Sequence, residues 1–168
     1  MYELRVGGAR EQAFFFNGFF AHGKHRGLAA PGIPVAIGSL EDPLFGPAVS
    51  FGVSGALTDL VGDRAFRIPP ISALDAAETV RSIKAAPLLF GYRGSEQVDV
   101  PAVEDLLRRV AQLKIDLPQV SKLDLVLVHA TADGVNVLRS AGRVEPVAEP
   151  RSDLFVRRLS APPGDTLS

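Results

Sequence analysis

The residues with the most chemical potential in this 168-residue chain are glycines, with two acids and an arginine set at intervals beyond them. Ala48 to Val53 (AVSFGV) reads as a buried strand that runs into Gly52-Val53-Ser54-Gly55. Glycine there lets the backbone take positive φ and lets another group approach bare amides. Asp59 follows four residues after Gly55. The stretch fits two readings: a hairpin with tight turns, and a glycine-lined cradle for an anion built from Gly52, Gly55 and Asp59. Arg93 sits in the loop Gly91-Tyr92-Arg93-Gly94. Its guanidinium matches phosphate or carboxylate geometry, although a solvated loop arginine is the commoner outcome. Asp124 is the only acid inside the run Val120 to His129, and His129 at the end of that run reads as a rim residue rather than a base. His22 and His25 are candidate metal ligands by type. No third ligand lies near them, and a metal needs three or four.

Bulk properties narrow the function classes. A net charge of −1 gives no footprint for nucleic acid or an anionic membrane. The absence of cysteine excludes disulfides, thiolate nucleophiles and cysteine-ligated zinc. No apolar run reaches the roughly 20 residues that span a bilayer. The N-terminus places glutamate and arginine ahead of its phenylalanines, which is not the order of a signal peptide. These features fit a cytoplasmic protein with a single domain and a real core.

The elements that must position the candidate residues follow from periodicity. Residues 1–28 form an unplaced leader, with a strand pattern at Tyr2 to Val6 and the run FFFNGFF at Phe14 to Phe20. Ile33 to Gly38 alternates as a strand and pairs most economically with Ala48 to Val53 as an antiparallel hairpin. Arg64 to Ile68 is another strand, stopped by Pro69-Pro70. Ser72 to Ala86 is a helix capped by Ser72, with Asp75 in its first turn and Leu74, Ala77, Val80 and Ile83 as its apolar face. Pro87 stops it. Asp99 to Asp116 is a second helix with an apolar stripe of Val103, Leu106, Leu107, Val110 and Leu113. Glu104, Asp105, Arg108, Arg109 and Lys114 take its wet face. Val120 to His129 and Val135 to Val144 are strands joined at Asp133-Gly134. Leu123, Leu125, Leu127 and His129 share one side of the first of these. Residues 146–168 are a tail, in which Asp153 to Leu159 is a candidate edge strand. The sum is an α+β fold: a mainly antiparallel sheet with two helices on one face.

The motifs DPLFGPAVSFGVSG, GDRAFRIPP, LDAAETVRSIKAAPLLFGYRG and DVPAVEDLLRRVAQL occur in that order. Together they resemble the C-terminal part of the ATP-grasp domain of ADP-forming acyl-CoA synthetases. The likeness is nearest to the copy in Pat-type protein lysine acetyltransferases, where a separate GNAT domain carries the transferase activity. It covers about Ala30 to Val144 and implies an ATP-grasp C-terminal lobe over residues 29–145.

The resemblance implies ATP and magnesium as cofactors, with the nucleotide between two α+β lobes. It places a metal-binding acid at Asp124. The family's Asn then falls at Val126, its Pro at Leu127, and a later Asp at Arg139. Magnesium requires oxygen ligands, so two expected donors are replaced. The adenine-binding lobe with its phosphate-binding lysine has no counterpart in these residues, nor does a glycine-rich acyl-CoA loop. The expectation is therefore a degenerate ATP-grasp half-domain with a regulatory or non-catalytic role. The alternative is the nucleotide-binding half of an ADP-forming acyl-CoA synthetase, completed by a partner chain. A further alternative is an inactive gene fragment, with the reading frame opening inside a longer gene. The expected partners are the remaining synthetase or acetyltransferase domains, or a second copy of the chain, because a half-domain leaves an apolar face uncovered.

Overall fold

Two long strands joined by a tight turn start the sheet. They are β3 (Ile33–Asp42) and β4 (Gly46–Val53), paired antiparallel from Val35↔Val53 to Asp42↔Gly46. Asp42 makes the turn: its Oδ1 accepts the amides of Leu44 at 2.8 Å and Phe45 at 2.9 Å. Gly46 takes the positive φ of 78° that closes it. The pairing is the one the alternation predicts, and both strands extend into the turn beyond the predicted ends.

The computed structural model describes residues 12–14, 22–23 and 32–145. The predicted strands at Tyr2 to Val6 and Asp153 to Leu159, most of the phenylalanine run, and His25 lie outside them. After β4 come α1 (Ala56–Val61), β5 (Arg64–Arg67), α2 (Ala73–Ser82), α3 (Val100–Asp116), β6 (Val120–Thr131) and β7 (Gly134–Val144). Two short strands precede β3, namely β1 (Gln12–Phe14) and β2 (His22–Gly23). The sheet order is β1-β7-β6-β3-β4-β5, with β2 also on β7, and every pairing is antiparallel. The predicted α+β class and antiparallel sheet therefore stand. Among the described residues no helix is long and apolar enough to cross a membrane.

The helices cover one face of this sheet. Val35 and Ile37 of β3, Val49, Phe51 and Val53 of β4, and Leu123 and Leu125 of β6 point into it. Val103, Leu106, Leu107 and Val110 of α3 close on them, each buried side chain contributing about 1.5–3 kcal/mol. The Asp99 side chain caps α3 by accepting the Ala102 amide at 3.0 Å. α2 begins with a full capping box: Ser72 Oγ accepts the Asp75 amide, and Asp75 Oδ2 accepts the Ser72 amide.

Several side chains and ends depart from the sequence reading. Leu74 is 67% exposed, because Ala76, Thr79 and Val80 make the buried face of α2. The helix stops at Ser82 rather than Ala86. The Asp63 carboxylate captures the amides of Lys84 at 2.9 Å and Ala85 at 2.8 Å, and Ile83 turns extended. Lys114 is not on the wet face. It is 2% exposed, donates from Nζ to the Val120 carbonyl at 2.8 Å, and pairs with Glu41 at 2.7 Å. Its long stem packs where an apolar residue would sit while its head reaches two oxygens.

Candidate functional site

The sheet face opposite the helices carries the candidate chemistry, and strand register fixes who stands beside whom. Asp124 on β6 pairs with Gly38 on β3, Gly38 with Ser50 on β4, and Ser50 with Phe66 on β5. One step along, Ala36 pairs with Gly52, and Gly52 with Arg64. The middle of this open face is thus floored by small residues, Ala36, Gly38, Ser50 and Gly52. Phe66 and Arg64 stand on one side, and β6 and β7 on the other. A Cβ added at Gly38 would lie 3.1 Å from Asp124 Oδ1 and 3.3 Å from Ser50 Oγ, so carboxylate and hydroxyl converge over that glycine. Ser50 is only 5% exposed. Beyond Ser50 the face opens into an apolar hollow of about 550 Å³ lined by Leu40, Phe45, Ala48, Phe66 and Ile68, with Asp42 and Arg67 at its edge.

The charges on this face are mostly positive. Lys122 lies two residues before Asp124 and bonds it at 3.0 Å between Nζ and Oδ2. Arg143 pairs across from Lys122. Ser140 is buried toward the helices opposite Leu125, so alternation puts its neighbour Arg139 on the open face with Asp124. Asp42, at the far end, is held below the ordinary carboxylate value by the amides of Phe45 and then Leu44.

The predicted site residues separate into three places. Gly52 and Asp124 share the open face. Gly52 has a structural reason to lack a side chain: a Cβ would sit 2.9 Å from the Asp63 carbonyl and 3.1 Å from Arg64 Cγ. Gly55 and Asp59 lie beyond the end of β4, around the six-residue α1, which sequence periodicity missed. Gly55 takes φ 155° and accepts the Thr58 hydroxyl at 2.9 Å, and Asp59 is exposed. Arg93 lies in a turn of the helical layer at φ 54°, with its guanidinium 5.4 Å from the centre of the Tyr92 ring. No contact joins it to Gly55 or Asp59. Sequence reasoning passed over Gly38, Ser50 and Lys122. A glycine inside a strand pattern and a lysine two residues from the lone acid were the signals available.

A resident magnesium ion requires several oxygen donors in near-octahedral array. Asp124 already bonds Lys122, Val126 has a hydrocarbon side chain, and Arg139 brings a cation. Among the described residues no three His, Asp or Glu side chains come together. Among the described residues, Asp124 and its neighbours do not supply that donor set.

Comparison with known proteins places this architecture. The family description "ATP-grasp domain" matches residues 23–141. The beta subunit of ADP-forming acetate-CoA ligase I of Pyrococcus furiosus is 39% identical over 102 residues, 61% of this chain and 44% of that one. The beta subunit of the ADP-forming ligase II of the same organism is 40% identical over 114 residues, 66% of this chain and 48% of its own length. Among solved structures, a dinucleotide-forming acetyl-coenzyme A synthetase 1 of Ca. Korarchaeum cryptofilum, in complex with coenzyme A and Mg-AMPPCP, superposes with a TM-score of 0.66 at 37% identity. That match covers 70% of this chain and 55% of the other. The chain spans about half the length of these relatives.

Proposed function

This chain belongs to the ATP-grasp domain family, and from that premise we propose that it is the nucleotide-binding half of an ADP-forming acyl-CoA synthetase. The rest of the enzyme comes from partner domains or a partner chain. What carries the reading is the open face. The family match takes in every strand from β3 to β6 and most of β7. The resemblance sets the nucleotide between two lobes, and this sheet has one face covered by its own helices and one that no described helix covers. Phe66 and Ile68, both more than half exposed, leave an apolar margin for the second lobe to cover. In this assignment residues 29–145 are the lobe. Asp124, Lys122 and Ser50 face the phosphates, Gly55 and Asp59 stand at the end of β4, and Arg93 is a peripheral anion contact. No phosphoryl step is assigned to magnesium, because the described residues do not supply a donor set for it.

The second reading is a regulatory, non-catalytic lobe of the kind found in Pat-type acetyltransferases. The observation that favours it is the pair Val126 and Arg139 at positions where the resemblance sets oxygen ligands. One experiment separates the two. ATP is titrated calorimetrically into the chain alone, and into the chain mixed with a protein supplying the other ATP-grasp lobe and CoA-binding domains of a related synthetase. The mixture is then given acetate and CoA. The synthetase reading expects ATP binding, with ADP and acetyl-CoA formed only by the mixture. ATP binding without product supports the regulatory lobe. No ATP binding in either sample refutes both.

A further inference from the structure

Resting on the nucleotide-binding reading, we infer that the open face takes a polyphosphate as a metal-free anion, with Lys122 and Arg139 supplying the charge that a divalent cation would otherwise bring. Three observations carry this. The only carboxylate within β6 is engaged by a lysine at 3.0 Å, so its charge is compensated inside the protein. Arg139 stands exposed on the neighbouring strand on the same face, which adds a second cation beside the Lys122–Asp124 pair. Diagonal neighbours in a sheet are about 7–8 Å apart, well within the reach of an arginine side chain. Beside them the floor presents no side chain at Gly38, with the Asp124 carboxylate and the Ser50 hydroxyl at its edge, whereas the space over Gly52 is taken by the Asp63 carbonyl and the Arg64 stem. The Ser50 hydroxyl borders the same Gly38, 3.3 Å from where a Gly38 Cβ would stand.

The chemistry of these groups discriminates between the free and the metal-bound ligand. A guanidinium meets phosphate oxygens in a planar fork, and its hydrogen bonds to an anion are the strong, charge-assisted kind. A magnesium-bound polyphosphate arrives with much of its charge neutralised and its oxygens partly taken. It gains less from Lys122 and Arg139, and the metal is repelled by them. This chain is therefore expected to bind the phosphates at least as well without the metal.

The test is calorimetric titration of the full chain with sodium tripolyphosphate and with ATP, each in EDTA and again in excess magnesium. Both probes are expected to bind in EDTA, with affinity unchanged or lower in magnesium. Arg139→Asp is expected to weaken tripolyphosphate about tenfold or more in EDTA, and Arg139→Lys to keep most of the affinity. Arg139 is exposed, and thermal melts confirm that both variants fold. ATP binding that appears only with magnesium, or that strengthens tenfold with it, overturns this inference and leaves the nucleotide-binding reading in place. Absence of binding by either probe under both conditions overturns the two together.

Discussion

Replacing Gly52 by alanine separates packing from ligand binding. The methyl group would lie 2.9 Å from the Asp63 carbonyl oxygen, closer than real Cβ atoms come, and 3.1 Å from Arg64 Cγ. The arginine stem can swing away. The carbonyl cannot do so cheaply, because the Asp63 carboxylate is bonded to the amides of Lys84 and Ala85, and β5 pairs with β4 through Gly52↔Arg64. Overpacking of this kind costs about 1–3 kcal/mol. Loss of glycine's unfolded-state freedom returns about 0.4–1 kcal/mol, since the backbone of Gly52 needs no positive φ. The net expectation is a destabilisation of about 1–2 kcal/mol. Urea unfolding should show a lower midpoint at unchanged slope, and the melting temperature should drop by several degrees. A variant as stable as the parent would refute the steric argument. If that variant also lost ATP binding, Gly52 would belong to the ligand cradle instead.

Asp63→Asn should destabilise the chain by about 1–3 kcal/mol, because one of its two amide acceptors becomes a donor. Hydrogen exchange should speed up first at Lys84 and Ala85, and equal protection there would refute the capping role. Lys114→Met should cost about 1–3 kcal/mol, since it leaves the buried Val120 carbonyl unmet. Glu41→Gln should cost less, because Glu41 is half exposed and Lys114 keeps its carbonyl; the reverse order in denaturant melts would contradict this account. The Asp75 carboxyl is held below its ordinary value near 3.8, first by the Ser72 hydroxyl and then by the Ser72 amide. Its stabilisation is thus fully present above that value and is lost as pH falls through the lower folded-state one. Asp75→Asn should lose less stability than the parent between neutral pH and about pH 2, and an unchanged acid limb in thermal melts would count against it.

Legibility in the sequence followed the range of the interactions. Helix starts depend on neighbours three residues apart, so Ser72 with Asp75 and Asp99 ahead of Pro101 were readable directly. The β3–β4 hairpin was readable for the same reason. The end of α2 was not, because the group that breaks it, Asp63, lies about twenty residues upstream in the chain. Lys114 was misplaced because its two partners come from other elements, one on β3 and one at the start of β6. At the site, the residues singled out by type were Gly52, Gly55, Asp59, Arg93 and Asp124. The neighbours that give Asp124 its character, Lys122, Gly38 and Ser50, became visible only once β6 was seen to insert between β3 and β7.

That insertion also changes what Val126 means. Alternation along β6 sets Leu123, Leu125, Leu127 and His129 on one side, but Val128 and Ala130 are buried against the helices instead, and His129 lies level with Pro34 and Asn136. A single extra residue flips the phase of every later side chain. The register shifts between Leu125 and Leu127 on the β7 side and between Val35 and Ile37 on the β3 side, so both ladders break at Val126. Bulges of this sort re-aim a side chain, and they are placed rather than accidental. The resemblance sets an oxygen ligand at this same position. The break in both ladders therefore coincides with a position that the resemblance assigns to an oxygen ligand and that carries a hydrocarbon here. If scaffold and ligand are separable in this way, Val126→Asn combined with Arg139→Asp should make polyphosphate binding depend on magnesium. A double variant that folds and still binds tripolyphosphate equally well in EDTA would show that the bulge serves only the packing of β6.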